Sequence, residues 1–353
     1  MDDFDKYRGV IFPRNLLLGH NILGKVAEVC DDFRFPDTGI IVTGDDTYKA
    51  AGRDVQISME ESKYNIHVHK AGAATLANAD KIFVDAEETG SEFILAVGGG
   101  SKIDLAKIAA KKLKIPFISI PTSAAHDGIA SGRASMKSDL GPLSVEGVVP
   151  MAVVADTGVI TKSPYRLLAS GCADVISNLT AIMDWKLGRD RRDDDFSSSA
   201  ALLSEYSAEA IIESSKYIRP DYEHGVWVAM RPIILSGISM SIAGSSRPTS
   251  GAEHMFSHAL DILHPGTALH GEQCGVGAIM LMHLHGGNWK RIRNALIDIG
   301  APVNAEQLGL RADDIIDALT EAHKIRTERF TILGDRGLTK EKAEAVARTT
   351  MVI

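Results

Sequence analysis

The strongest constraint on the fold is the alternation of short apolar segments with helical segments in the first half of the chain. Five segments are strand candidates: 39–43, 65–69, 93–97, 116–120 and 151–155. Short apolar runs that alternate with helical patterns predict a parallel sheet covered by helices. We therefore expect an α/β amino-terminal region.

The pattern changes twice further along the chain. Between Gly128 and Gly147 it becomes rich in Ser and Gly around Asp139-Leu140-Gly141-Pro142, which predicts a β-hairpin excursion. After Ser163-Pro164 the strand patterns stop and long helical segments follow. We predict an α/β domain over residues 1–163, an all-helical domain over residues 164–353, and an active site in the cleft between them.

Composition excludes several classes of partner. The chain has 353 residues, of which 45% are hydrophobic, enough to fill two cores. A net charge of -8 argues against nucleic acid or an anionic membrane surface, because both would need a basic face. There is no uninterrupted apolar run of about 18 residues, so we expect no transmembrane segment. The start, Met1-Asp2-Asp3-Phe4-Asp5, is acidic and unlike a signal peptide.

We therefore expect a cytoplasmic protein. Its three cysteines, Cys30, Cys172 and Cys274, are odd in number and widely spaced, which predicts no disulfide framework.

A glycine turn, Gly98-Gly99-Gly100-Ser101-Lys102, follows the third strand candidate and precedes an amphipathic helix. Glycines allow a pyrophosphate to approach the backbone closely, and a helix amino terminus favours its negative charge. The spaced G-x-G-x-x-G motif is absent. The turn therefore predicts a dinucleotide phosphate site, although such a turn can also simply let a strand pack on a helix.

Polar residues follow two other strand candidates. Thr122-Ser123-Ala124-Ala125 lie where parallel strands end and cofactors bind. Asp127 would face the cleft, or cap a turn before Gly128. Asp45 follows segment 39–43, where its carboxylate could accept a hydrogen bond from a ribose hydroxyl or serve as an ordinary N-cap.

The second half contains residues suited to a metal. His254 and His258 are four apart in a helical pattern and share one face, while His270 begins the next helical segment. With Asp174 they could supply one carboxylate and two imidazoles, a common cage for a catalytic metal with an open position. Core histidines are the alternative interpretation, and thiolate ligation by Cys172 or Cys274 is also open.

These motifs together resemble the iron-containing alcohol dehydrogenase and glycerol dehydrogenase superfamily, and the likeness covers most of the chain. Its marks are Gly98-Gly99-Gly100-Ser101, Asp104-x-x-Lys107, Pro121-Thr122-Ser123 and His254…His270-Gly271-Glu272. The resemblance implies a Rossmann-like α/β domain followed by an all-α domain, the dehydroquinate synthase-like architecture. It also implies an oxidoreductase that uses NAD(H) or NADP(H).

Segments 123–131 and 251–258 look most like the archaeal-type branch that makes the glycerophosphate backbone of ether lipids. That branch implies reversible reduction of dihydroxyacetone phosphate to sn-glycerol 1-phosphate. The alternative is a glycerol dehydrogenase or another metal-dependent polyol dehydrogenase acting on an unphosphorylated ketone. A lyase like dehydroquinate synthase and a non-catalytic metal and nucleotide sensor are further alternatives.

The resemblance also implies roles for particular residues. Zinc, or alternatively ferrous iron, would be held by Asp174, His254 and His270, with His258 able to replace His254 as ligand. The substrate would contact Asp127, Asp174 and His258, and we expect Asp127 or His258 to transfer a proton. The expected cofactor contacts are Asp45, Gly98, Gly99, Gly100, Ser101, Lys102, Thr122, Ser123, Ala124, Ala125 and Ser131. Of these, Asp45 is expected from the strand pattern and the others from the resemblance.

Two expectations concern phosphate recognition and assembly. Arg247 precedes the predicted ligand helix and is a candidate phosphate anchor, the alternative being an arginine on a surface loop. We expect a homo-oligomer, with the apolar segment from Val226 to Ile242 as a self-association face.

Overall fold

The structure, a computed structural model, describes residues 9–138 and 141–353. The acidic start of the chain and the Asp139-Leu140 part of the predicted hairpin turn lie outside these residues. The described strands are β1 Asn15–Gly19, β2 Thr38–Thr43, β3 Asn65–Lys70, β4 Ile94–Gly98, β5 Phe117–Pro121, β6 Arg133–Ser138, β7 Gly141–Glu146 and β8 Ala152–Asp156.

Six of these strands form a parallel sheet in the order β1-β8-β5-β4-β2-β3. Strands β4, β5 and β8 are buried along their whole length, which is why they are almost uniformly apolar. The five predicted strands are confirmed. Sequence reasoning missed β1, which is a half-exposed edge strand. It pairs with β8, and Asn15 lies opposite Ala152.

The predicted hairpin excursion is also confirmed. Strands β6 and β7 pair antiparallel in a separate two-stranded sheet, with Ser135 opposite Ser144.

Helices cover the sheet and form the whole of the second half. The described α-helices are α1 Val26–Asp32, α2 Asp45–Thr47, α3 Arg53–Glu61, α4 Leu76–Glu88, α5 Gly100–Leu113, α6 Thr157–Thr161, α7 Tyr165–Arg192, α8 Ser198–Ser214, α9 Glu223–Ala243, α10 Ala252–Leu263, α11 His270–Leu284, α12 Trp289–Ile299, α13 Ala312–Glu321 and α14 Lys340–Thr349. A π-helical turn, Tyr48–Gly52, joins α2 to α3. Short 3-10 turns occur at Leu23–Lys25, Asp127–Ala130, Ser215–Tyr217, Glu306–Leu308 and Ala322–Lys324.

Among residues 157–353 the structure contains no strand, so the expected α/β region followed by a helical region is confirmed. The chain changes from α/β to all-helical structure between β8 and α7. A division into domains at residues 163 and 164 stays a prediction.

One hydrophobic core runs through both regions. It includes Ile40 and Ala96 on one face of the sheet and Phe256 and Ile279 among the helices. The opposite face of the sheet packs Ile41 and neighbouring residues against the helices near the amino terminus. Consecutive strand residues therefore serve different cores, as their alternating side-chain directions require.

Helix α9 is long and apolar enough to cross a membrane by length and composition, but 61% of its apolar window is buried inside the protein. Val226, Ile233 and Ile234 are fully or almost fully buried. The expected self-association face over Val226–Ile242 is therefore mostly core, because α9 packs closely against α8.

Candidate metal and dinucleotide site

The glycine turn connects β4 to α5 in close contact with another loop. Gly99 is the N-cap of α5, and a Cβ atom on Gly100 would lie only 1.8 Å from Nε2 of His126. The backbone N–H of Gly128 donates to Nδ1 of His126 at 2.9 Å, and burial lowers the pKa of His126 to about 4. His126 is therefore neutral and packs against the turn, where only glycine fits at position 100. Sequence reasoning missed this histidine.

A cavity of about 700 Å³ lies along the carboxyl edge of the sheet, within the size range of ligand sites. Its lining includes Gly99, Thr122 and Ser123, three of the predicted cofactor residues, and also Asp46 and Asp156. The cavity spans the point between β2 and β4 where the strand order reverses, the usual location of a ligand in an open α/β sheet.

Two predicted cofactor residues point elsewhere. Asp45 is exposed and forms an ion pair of 2.8 Å with Lys70, whose hydrogen bond lowers the pKa of the Asp45 carboxyl. Asp46 lines the cavity in its place. The ammonium of Lys102 donates to the carbonyl of Gly72, and burial lowers the pKa of Lys102.

The remaining predicted cofactor residues lie around the turn. Gly98 ends β4, and Ala124 is fully buried. The carbonyl of Ala125 accepts a hydrogen bond of 3.4 Å from the Ser170 hydroxyl of α7. Ser101 and Ser131 line a second, smaller cavity on the other side of the turn.

Two glycines allow the helices that carry the predicted ligands to approach one another. A Cβ atom on Gly171 would lie 1.9 Å from the carbonyl oxygen of Ala124, and one on Gly271 would lie 2.0 Å from that of Ser170. Helix α7 can therefore approach the end of β5, and α11 can approach α7. This packing brings His270, the first residue of α11, beside Asp174, one turn beyond Ser170 on α7.

The predicted metal ligands converge in the structure. Oδ1 of Asp174 lies 3.7 Å from Nε2 of His254 and 3.8 Å from Nε2 of His270. Donors bound tetrahedrally at about 2.0–2.1 Å from one zinc ion lie roughly 3.3 Å apart, so little movement is needed to bind one. Cys274 belongs to the same group, whose potential ligand atoms all lie within 4.8 Å of one another.

The chemistry of this cluster fits a cation. Oδ1 of Asp174 is buried without a hydrogen-bond partner, and burial raises the pKa of this carboxyl to about 7. A buried carboxylate oxygen that faces two imidazole nitrogens is costly unless a positive charge compensates it. Asp174, His254 and His270 therefore have the donor atoms and the spacing that a three-point metal site requires.

A second layer of hydrogen bonds orients both imidazoles. Nδ1 of His254 donates to Glu253 at 3.0 Å. The hydroxyl of Ser257 donates to Gln273 at 2.6 Å, so it accepts from Nδ1 of His270 at 2.9 Å. Each ring therefore presents the lone pair of Nε2 towards Asp174, as expected of a metal-binding histidine.

His258 occupies a different position. Its ring centroid is 6.4 Å from that of His254 and 5.7 Å from that of His270. Its Nδ1 is buried without a partner, and its Nε2 lies 3.4 Å from a guanidinium nitrogen of Arg326. His258 lies outside the cluster with Asp174, although His258, Asp261 and His270 form a second group of potential ligands.

Asp127 lies beside the cluster. Its Oδ2 accepts a hydrogen bond of 2.7 Å from Ser236, and its backbone N–H lies 3.4 Å from Oδ2 of Asp174. Burial, followed by the charge of Asp174, raises the pKa of Asp127 to about 7. Such a carboxyl can exchange protons near neutral pH.

The loop that carries Asp127 is fastened by a buried lysine. Nζ of Lys107 donates to Asp104 at 2.8 Å and to the carbonyls of Gly128 and Arg133 at 2.6 Å each. The Asp104-x-x-Lys107 motif therefore ties helix α5 to the loop that ends at β6.

The smaller cavity, of about 400 Å³, gathers most of these groups. Ser101 lines this cavity and Gly99 lines the larger one, so the two cavities meet at the glycine turn. The predicted residues in its lining are Ser101, Asp127, Ser131, Asp174, His254, His258 and His270. The lining also contains residues that sequence reasoning missed, namely His126, Arg133, Lys137, Ser250 and Arg326.

Arg247 does not join this lining. It is buried, so it is no surface arginine, and its guanidinium pairs with Asp194 and donates to the carbonyl of Phe330 at 3.3 Å.

Comparison with known proteins agrees with this geometry. The family model for iron-containing alcohol dehydrogenase matches residues 17–164. The glycerol-1-phosphate dehydrogenase [NAD(P)+] of Methanosarcina acetivorans is 49% identical over 97% of this chain and 96% of its own length. That of Methanothermobacter thermautotrophicus is 48% identical over 98% of this chain and 99% of its own length.

Solved structures share the fold at low identity. A probable glycerol dehydrogenase from Sinorhizobium meliloti superposes with a TM-score of 0.79 at 18% identity, covering 98% of this chain and 100% of its own. A sulfoacetaldehyde reductase from Bifidobacterium kashiwanohense, in complex with NAD+, gives a TM-score of 0.76 at 15% identity, covering 98% and 99%.

The family model for iron-containing alcohol dehydrogenase matches the amino-terminal α/β part of this chain, and the solved structures share its fold. Identities near one half over almost the full length show that the chain belongs to the family of glycerol-1-phosphate dehydrogenases.

Proposed function

We propose that this chain is an NAD(P)-dependent, metal-dependent oxidoreductase that reversibly reduces dihydroxyacetone phosphate to sn-glycerol 1-phosphate. This reaction would supply the glycerophosphate backbone of ether lipids in the cytoplasm. The full-length relatives support this substrate over an unphosphorylated ketone, because the glycerol dehydrogenase likeness is only 18% identical. The observation that carries the proposal is the unpartnered Asp174 oxygen facing two oriented imidazoles beside the glycine turn.

The reaction moves a hydride and a proton. A reduced nicotinamide bound at the glycine turn would supply the hydride that adds to C2 of the ketone, and would be oxidised as the ketone is reduced. The carbonyl oxygen would take its proton from a group of the protein, which completes the alcohol. Zinc or ferrous iron bound by Asp174, His254 and His270 would supply Lewis-acid polarisation of the carbonyl.

The two cavities suit the two reactants. We place the dinucleotide in the larger cavity, with its pyrophosphate on the backbone of Gly98 to Ser101 at the start of α5. Thr122 and Ser123 line the same cavity and are also assigned to the cofactor, whereas Ser131 lines the smaller cavity. Asp46 is better placed than Asp45 to contact a ribose hydroxyl, since it lines this cavity.

The substrate fits the smaller cavity. Asp127 and His258 line it and are our candidates to hold and transfer the proton. Asp127 has a raised pKa, and His258 has a free ring nitrogen. Replacing His258 with Ala should lower turnover and leave metal content intact. Loss of the metal as well would identify His258 as a ligand.

The test is turnover by zinc-loaded protein, followed as absorbance of NADH or NADPH with dihydroxyacetone phosphate or dihydroxyacetone. The product should be sn-glycerol 1-phosphate, which an enzyme specific for the opposite enantiomer cannot oxidise. His270→Ala should lose activity and metal, whereas His283→Ala on the same helix is the matched control. Turnover confined to dihydroxyacetone would contradict the proposed substrate.

A further inference from the structure

Two arginines that no motif marked line the smaller cavity. Arg133 begins strand β6 of the hairpin, and Arg326 lies in the loop that follows α13 and the turn Ala322–Lys324. Arg326 has a positive φ of 53°, a left-handed backbone that a residue with a long side chain seldom adopts. Such a conformation persists where the surroundings fix the position of the residue.

Within residues 9–138 and 141–353, no carboxylate lies within 4.0 Å of either guanidinium. Arg326 donates to the hydroxyl of Ser250 at 2.8 Å and otherwise faces His258. Arg133 donates to Ser144 at 3.2 Å, and its buried Nε has no partner. Both charges therefore rely on neutral groups, although both side chains are partly buried, where an uncompensated guanidinium is unfavourable.

Further positive charge surrounds Arg326. Arg329, in the same loop, donates to the carbonyl of Ser250 and the hydroxyl of Ser246. Burial, followed by the charge of Arg326, lowers the pKa of Arg329 to about 9. The charge of Arg133 likewise helps burial to lower the pKa of Arg326. A chain of net charge -8 thus places several positive charges in and beside the smaller cavity.

Arg247 provides a contrast within the same sequence region. It is buried, whereas Arg133 and Arg326 are half-buried, and its guanidinium is paired with Asp194. Arg133 and Arg326 therefore differ from Arg247 in having no acidic partner within 4.0 Å among the described residues.

The position of Arg326 matches the shape of the proposed substrate. Three bonds separate the carbonyl carbon of dihydroxyacetone phosphate from its phosphorus atom. The phosphate must therefore lie about one side chain away from the proposed metal ligands. His258 fills that interval, since it lies next to His270 on one side and 3.4 Å from Arg326 on the other.

We propose that Arg326 and Arg133 bind the phosphate group of the substrate and set the preference for a phosphorylated ketone. This inference rests on the proposed function. The planar guanidinium fork matches phosphate oxygens and forms charge-assisted hydrogen bonds with them. Because Arg133 belongs to the hairpin and Arg326 to the helical region, bound phosphate would join the two walls of the cavity.

The experiment compares kcat/KM for dihydroxyacetone phosphate with kcat/KM for dihydroxyacetone in zinc-loaded Arg326→Gln and Arg133→Gln. The ratio of the two values should fall about 100-fold in Arg326→Gln, which corresponds to about 2.7 kcal/mol. Most of the fall should come from a higher KM for the phosphorylated ketone. Arg326→Lys should restore part of the ratio, because it keeps the charge and loses the fork.

Arg247→Gln is the matched control, since it removes a buried arginine that already has an acidic partner. Its ratio should stay within about threefold of the wild type, a margin below the effect of one charged hydrogen bond. Zinc content and thermal midpoint identify any variant that does not fold. An unchanged ratio in folded, zinc-loaded Arg326→Gln and Arg133→Gln would overturn the inference, and so would a collapse confined to Arg247→Gln.

A separate titration distinguishes failure of the inference from failure of the proposed function. Inorganic phosphate is titrated into zinc-loaded protein by calorimetry. Binding to the wild type that is lost in Arg326→Gln supports the anion site even if the protein turns over no ketone. If the wild type reduces dihydroxyacetone phosphate but the variants keep its phosphate preference, the proposed function stands and the inference fails.

Discussion

Gly271 allows α11 to approach α7, and replacing it with Ala should cost the protein its metal. A Cβ atom there would lie 2.0 Å from the carbonyl oxygen of Ser170, about 1 Å closer than such atoms approach in proteins. That oxygen belongs to a helix backbone and cannot turn aside. The start of α11 must therefore retreat by about 1 Å.

The retreat separates two proposed ligands. Two donors that each bind one ion at about 2.1 Å can be at most about 4.2 Å apart. Asp174 and His270 are already 3.8 Å apart, and a further 1 Å can take them beyond this limit. We expect zinc affinity to fall by at least about 100-fold, the upper end of what loss of a supporting contact costs.

The effect on folding should be smaller. Overpacking costs about 1–3 kcal/mol, partly offset by about 1 kcal/mol because alanine favours a helix more than glycine does. Zinc affinity is measured by competition with a chromophoric chelator, and the free energy of unfolding by urea denaturation.

Gly275→Ala, one turn later on α11, is the control. Its Cβ atom would lie 3.0 Å from the methyl of Ala173, so a shift of a few tenths of an ångström suffices. A folded Gly271→Ala protein that binds zinc as tightly as Gly275→Ala would refute this reasoning.

Three further predictions follow from other contacts. Ser257→Ala removes the acceptor for Nδ1 of His270 and should weaken zinc binding about 10–100-fold in the same chelator assay. Unchanged zinc affinity would show that this hydroxyl does not orient the ring. Lys107→Met leaves the buried Asp104 without its cation and should lower the free energy of unfolding by about 3–5 kcal/mol in urea; a loss under about 1 kcal/mol would contradict its role as a fastener. Burial, followed by the charge of Asp31, raises the pKa of Cys30 to about 12, so its thiol stays neutral at mildly alkaline pH. Mass spectrometry should therefore find Cys30 alkylated only in unfolded protein. Rapid alkylation of Cys30 in the native protein would disprove this.

The sequence predicted the interior strands well because they are buried on both faces and therefore apolar throughout. It missed β1, where the apolar run is only Leu16–Leu18 and the Asn15–Gly19 segment is half-buried. The helical face shared by His254 and His258 was also predictable, since spacing alone defines it. Which of the two rings faces Asp174 depends on how α10 packs against α7 and α11.

Other features depend on contacts between distant segments. Asp45 and Asp46 are adjacent at the start of a helix, and the direction of that helix turns one towards Lys70 and the other into the cavity. Arg133 and Arg326 lie in segments without periodicity, so only the folded chain shows that they line the same cavity. The charged segment 189–195 lies partly in α7 and includes the Asp194 that pairs with Arg247.

The three proposed ligands come from α7, α10 and α11, whereas the glycine turn belongs to the sheet. Under the proposed function, the metal and the dinucleotide would therefore depend on different elements of the fold. A substitution that loosens the packing of these helices would weaken metal binding first, whereas one in the glycine turn would weaken dinucleotide binding first.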